Sequence, residues 1–250
     1  TRTTSSAASD VYKRQNNTNH GFMIGRFYVP DEITVRVSWL LPALTVPLAM
    51  VIHLLNGNSR DFPIFISEAD YPGVERWVFT TGLALSGIIQ MIFSYRLWLR
   101  TKDVGRRKLV HFSLLCGLVT GGNLLIMSFA DMYNHIALHV LTASLVFQVG
   151  IVWAITAHFA VPYTSQRSKY IRIFAVLLSI VSYVVMSQAV VRAVSDLEAY
   201  GLEDDTIFTL DRIQHAIDVA AYAEYTLFAG LILCLYSFEQ TFRINEHSDE

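Results

Sequence analysis

The chain has 250 residues, 53% of them hydrophobic and 16% charged, with a mean hydropathy of +0.39 and a net charge of −2. That is too apolar for an ordinary soluble domain and suits a chain that crosses a membrane several times, while the slight negative charge gives no footing for nucleic acid as a partner. Cys116 and Cys234 both lie inside apolar runs, so no disulfide framework is expected.

In chain order, residues 1–32 read as an N-terminal tail. Within it "SSAASDVYKRQ" (5–15) matches the in-frame translation of a transposase-type sequencing-library adapter, so 1–15 are set aside as an assembly artefact. The sequon Asn16-Asn17-Thr18 follows. A bilayer core takes about 20 apolar residues as a helix. Six stretches reach that length: 35–55, 74–97, 109–130, 135–161, 170–191 and 213–238. The expected fold is an all-α, six-transmembrane-helix bundle over residues 33–243, with a short cytosolic tail at 244–250.

Between the first two spans lies "FPIFISEADYPGVERWVF" (62–79), which carries Glu68, Asp70, Glu75 and Arg76 and is stiffened by Pro63 and Pro72. Glu75 opens the second span, where a negative charge suits the helix dipole. The loop is either a lid over a cavity or a cap that closes the bundle. The next loop is basic, with Arg100, Lys102, Arg106, Arg107 and Lys108, and Arg167 and Lys169 follow the fourth span. The first and fifth loops are acidic, the fifth through Asp196, Glu198, Glu203, Asp204, Asp205 and Asp211. Positive charge collects on the cytosolic side, so both termini are expected in the cytosol, the 62–79 stretch outside it and the sequon unmodified. The basic loop sets this topology. It also suits anionic lipid or a cytosolic protein partner.

Polar groups within a span are costly and are functional candidates by default. They are Asn123 in the third span, His139 in the fourth, and His215, Asp218 and Glu224 in the sixth. His215, Asp218, Tyr222 and Tyr225 recur at i, i+3, i+7 and i+10 and share one face, with Glu224 a third of a turn away. Two readings follow: these residues line a polar site beneath the 62–79 loop, suited to a lipid headgroup, or they form a hydrogen-bond network that locks helices together. Gly82, Gly87, Gly117, Gly121, Gly122 and Gly150 allow close helix approach. There is no Gly-rich phosphate loop, G-x-S-x-G or H-E-x-x-H. No catalytic residue, cofactor or metal site is expected.

Three segments carry a family resemblance. "FISEADYPGVERWVF" is similar to an ISD-T-G…PPE…VF motif through Ile66, Ser67, Glu68, Pro72, Glu75, Val78 and Phe79, with Ala69-Asp70 in place of Thr-Gly. "HVLTASLVFQVGIVW" matches a fourth-span pattern through His139, Ala143, Phe147, Gly150 and Trp153. "AYAEYTLFAGLILCLYSFEQTFR" resembles a last span through Glu224, Tyr225, Phe228, Phe238, Glu239 and Phe242. On these residues the chain resembles the DRAM family, the damage-regulated autophagy modulators, with the TMEM-type and Sfk proteins and, more distantly, the Frag and Cwh proteins of GPI-anchor lipid remodelling. The resemblance implies an endomembrane or lysosomal protein, or one of the plasma membrane, that modulates autophagy or lipid homeostasis by binding membrane lipid or partners. It leaves open a lipid-remodelling enzyme or accessory factor of GPI-anchor maturation, and a scaffold for a lipid kinase.

Overall fold

A computed structural model describes residues 21–161, 164–199 and 213–244. The sequon, Glu203, Asp204, Asp205, Asp211 and the tail beyond 244 lie outside the described residues, as do the side chains of Asp196 and Glu198. Six helices carry the fold: α1 (Asp31–Leu55), α2 (Val74–Thr101), α3 (Arg107–Met127), α4 (Ile136–Ala160), α5 (Gln166–Ala199) and α6 (Gln214–Ile244). Each is long and apolar enough to cross a membrane, so the chain is an integral membrane protein built as the expected six-helix bundle. Consecutive helices pack on one another, and α6 packs on α1 as well as on α5, which closes the bundle. Direction alternates: the start of α1 meets the end of α2 through Asp31 and Arg96, and the end of α1 meets the start of α2 through His53 and Glu75.

α5 extends past its apolar run at both ends and α1, α2 and α6 at one, because polar residues such as Gln166 and Arg167 still favour helix once a turn is nucleated, whereas α4 stays within its run and α3 stops at Met127. The region assigned to the tail also contains structure. Gly21–Ile24 (β1) and Phe27–Pro30 (β2) pair antiparallel, with Gly25 at φ +60° in the two-residue turn between them. Pro30 then fixes the chain just ahead of α1, and Asp31 and Glu32 fill its first turn.

α2 and α3 touch backbone to backbone. A Cβ on Gly87 would lie 2.6 Å from the Gly121 carbonyl oxygen, and one on Gly121 would lie 2.7 Å from that of Gly87. Gly122 faces open space and Gly150 has only ordinary contacts, so the close-approach role expected of every span glycine does not extend to these two.

Three apolar clusters fill the bundle, the smallest joining Ala193 of α5 to Ile213 and to Ala216, Ile217 and Ala221 of α6. Near the hairpin, Phe93, Trp153, Phe238 and Phe242 meet with ring centroids 5.6–6.0 Å apart. Toward the other end, Val46, Ala49, Ile66, Ala69, Phe79, Leu83 and Met127 pack beneath the α1–α2 connection.

Candidate functional site

The 56–73 connection folds as a compact cap centred on a 3-10 helix, Ile66–Asp70. Asp61 is exposed, whereas Glu68 and Asp70 are buried beside arginines. Glu68 is buried and receives Arg60 through both oxygens, each at 2.6 Å, while its Oε1 also accepts the Phe65 N–H at 2.6 Å. Arg60 donates in addition to Gln214 at the start of α6. Glu75 has no exposed surface and accepts from Asn56 Nδ2 at 2.7 Å, with His53 Nδ1 at 3.4 Å. Arg76 lies between Asp70 (3.5 Å) and Asp131 (3.6 Å). Burial pushes the Asp70 carboxyl up to about 7 against the pull of Arg76. At Asp131 burial acts in the same direction, but hydrogen bonds from Asn134 and Tyr133 and the nearby Arg76 outweigh it and hold that carboxyl below its ordinary range.

The cap's backbone is held by side chains from elsewhere. Tyr225 donates to the Ile64 carbonyl, Glu224 accepts the Ile66 N–H at 2.7 Å, Tyr133 donates to the Glu68 carbonyl at 3.0 Å, and Arg76 donates to the Asp70 carbonyl at 3.0 Å. Backbone groups in an irregular segment need such partners when they are out of water, and here α6, the α3–α4 connection and the first turn of α2 supply them.

Directly beneath the cap lies a cavity of about 120 Å³. The three resemblance segments converge on it. Ile66, Ser67 and Phe79 line it from the cap and α2. His139, Ala143, Phe147, Gly150 and Trp153 line it along one face of α4, and Glu224 and Phe228 line it from α6. Its walls are mainly hydrocarbon, and among the described residues no Lys or Arg lines it. That chemistry suits an apolar chain or ring.

Of the five predicted polar residues the cavity brings together two, His139 and Glu224. His139 Nδ1 meets the Ala130 carbonyl at 2.7 Å, so Nδ1 is the donating nitrogen. Asn123 donates to the Val119 carbonyl of its own helix at 2.8 Å and does not line the cavity. His215 and Asp218 are exposed, with Asp218 bonded to Gln214 at 2.9 Å. The face they share with Tyr222, itself 52% exposed, points outward. Ile217, Ala220 and Leu227 occupy the inward face instead. In the loop motif, Glu68, Glu75 and Arg76 hold the cap, and Pro72 is exposed. The sequence reading passed over Arg60, His53 and Tyr133. Arg60 did carry a signal, as the sole basic residue in the 56–73 connection.

At the hairpin end, Arg100 is not a free loop cation. Its Nε donates to Asp31 Oδ2 at 2.7 Å, and the guanidinium sits 4.6 Å from the Phe242 ring centroid. Arg96 shares the same buried Asp31 at 2.6 Å. Lys102 covers the Trp98 ring at 5.2 Å. Arg106, Arg107 and Lys108 are exposed together.

The family model described as the Frag1/DRAM/Sfk1/Cwh43P N-terminal domain matches residues 35–243. Neither a curated protein nor a solved structure matches the chain.

Proposed function

Since the chain belongs to the Frag1/DRAM/Sfk1/Cwh43P N-terminal domain family, we propose that it is a DRAM-like lipid-binding protein that acts in membrane lipid homeostasis or autophagy without a catalytic step of its own. The observation that carries this reading is the convergence of the three family-like segments, far apart in sequence, on one apolar cavity under a fixed cap. In this reading the protein resides in the endomembrane system with both termini in the cytosol, which places the cap on the extracytosolic face. The exposed Arg106, Arg107 and Lys108 then face the cytosol, where they meet anionic lipid or a protein partner.

The test is native mass spectrometry of the purified protein for co-purifying lipid, wild type against Gly150→Met. Gly150 lines the cavity and has room for a side chain, so methionine fills the space without breaking a bond. Lipid on the wild type and its loss from a folded Gly150→Met supports the reading; lipid retained at full occupancy, or none on the wild type, overturns it. A second reading, a lipid-remodelling enzyme, is favoured by one observation. His139 and Glu224, two groups able to move protons, share the cavity wall. A chemically altered lipid after incubation with the wild type, and none with Glu224→Gln, assigns it.

A further inference from the structure

Most polar side chains of the cavity wall are hydrogen-bonded. Ser38 donates to Val35, Ser86 to Gly82 and Thr120 to Cys116, all carbonyls of their own helices at 2.7–2.9 Å. His139 and Glu224 are occupied by Ala130 and Ile66. Gln90 Oε1 and Trp153 Nε1, by contrast, are buried and have no hydrogen-bond partner, although both residues line the cavity and are only 6% and 3% exposed. A third orphan, Ser94 Oγ, stands one turn from Gln90 on the same helix. A Cβ on Gly117 would come within 2.1 Å of that hydroxyl and 2.9 Å of Trp153 Nε1. Ser94 and Trp153 therefore meet over a bare glycine.

These groups share a depth. Gln90 is 16 residues into α2 and Trp153 is 17 into α4, each about 25 Å along its helix axis from the cap end. Gln90 and Trp153 are the residues of α2 and α4 that line the cavity farthest from the cap, so they mark its deep end. Buried donors and acceptors without partners are rare in folded proteins. Here an acceptor (Gln90 Oε1) and a donor (Trp153 N–H) belong to the wall of one cavity, and the Ser94 hydroxyl stands beside that donor across Gly117. A group that donates and accepts at once completes the set. No cation lines the cavity among the described residues, so a phosphate or carboxylate placed there would be buried without a counter-charge.

We propose that the deep end of the cavity recognises a hydroxyl, so that the ligand is a neutral lipid whose apolar body lies in the cavity with its alcohol seated between Gln90 and Trp153. This rests on the lipid-binding reading above and specifies the class of lipid.

The experiment uses the full chain in nanodiscs and a photoreactive long-chain alcohol, with cross-linked peptides mapped by mass spectrometry. Competitors are the unlabelled alcohol, its methyl ether and the alkane of equal length. The ether accepts from Trp153 but has no proton for Gln90. The alcohol is expected to compete about tenfold better than the alkane, with the ether between them, since each hydrogen bond in a dry site counts for several-fold. Trp153→Phe and Gln90→Met should each reduce that preference several-fold while alkane competition stays unchanged. Should Gln90→Met fail to fold, Trp153→Phe decides, because it removes the N–H and keeps an aromatic ring. Equal competition by all three compounds in a labelled cavity overturns the proposal, leaving a buried water at the deep end and the lipid-binding reading intact. If no competitor reduces labelling of the cavity, the lipid-binding reading falls and the hydroxyl proposal falls with it.

Discussion

Arg60→Met tests whether the cap is held by a buried ion pair. The side chains of Arg60 and Glu68 are 11% and 6% exposed, and two hydrogen bonds of 2.6 Å join them. Opposite unit charges about 4 Å apart attract by about 4 kcal/mol at an effective dielectric of about 20. Removing one partner of a buried pair costs about 3–5 kcal/mol because the other charge is stranded, against about 0–1 kcal/mol for an exposed pair. Arg60 is slightly open, so the low end applies, about 3 kcal/mol. The readout is hydrogen exchange at the Phe65 and Ile66 amides, which donate to Glu68 and Glu224. A loss of about 3 kcal/mol speeds their exchange by about a hundredfold. Adding Glu68→Gln removes the stranded charge yet keeps an acceptor for Phe65 N–H, so the double variant should recover at least half of the loss. An effect under fivefold, or a double variant worse than the single one, would show that the cap is held by its backbone bonds alone and that this electrostatic reasoning is wrong.

Asp70 gives a pH signature. Its folded carboxyl titrates near 7 because of burial, above the ordinary value, so the folded form binds the proton more tightly than the unfolded one. Its contribution is therefore greatest below about pH 4, declines as pH rises toward 7 and is level above that. Asp70→Asn should remove that decline from thermal-unfolding midpoints measured across pH 4–7, and an unchanged slope refutes the assignment. Gly121→Ala places a methyl 2.7 Å from the Gly87 carbonyl oxygen and should cost about 1–3 kcal/mol in detergent-micelle unfolding, whereas Gly122→Ala, facing open space, should be neutral or slightly stabilising; equal effects would deny the backbone contact.

The helices were legible because hydropathy over about 20 residues is a one-dimensional property. The hairpin was overlooked although its signal was present: Phe22-Met23-Ile24 and Phe27-Tyr28-Val29 flank Gly25. Its ten residues precede the first span and obey a different period from it. At the site, His139 and Glu224 stood out because charge-capable groups inside a span are conspicuous. His215 and Asp218 were equally conspicuous, but periodicity only groups residues on a face; it does not say whether that face meets protein or surroundings. Gln90, being uncharged, is inconspicuous in the sequence, and only the fold puts it on the same cavity wall as Trp153. The pairing of Arg60 with Glu68 and Gln214 depends on a fold that brings together positions up to 154 apart.

The contact between Arg36 and Glu239 has a consequence for biosynthesis. Arg36 and Trp39, on the first helix, donate to a carboxylate some two hundred residues downstream, the separation for Arg36 being 203. At about 5–20 residues per second, the ribosome delivers that acceptor roughly 10–40 s after the donor. Throughout that interval the first helix is already made while its partner is not, so the nascent bundle stays open along the α1–α6 seam. A chain halted between α5 and α6 keeps five spans yet lacks the clasp, so the α1–α6 seam is closed only in molecules that carry the last helix through Glu239.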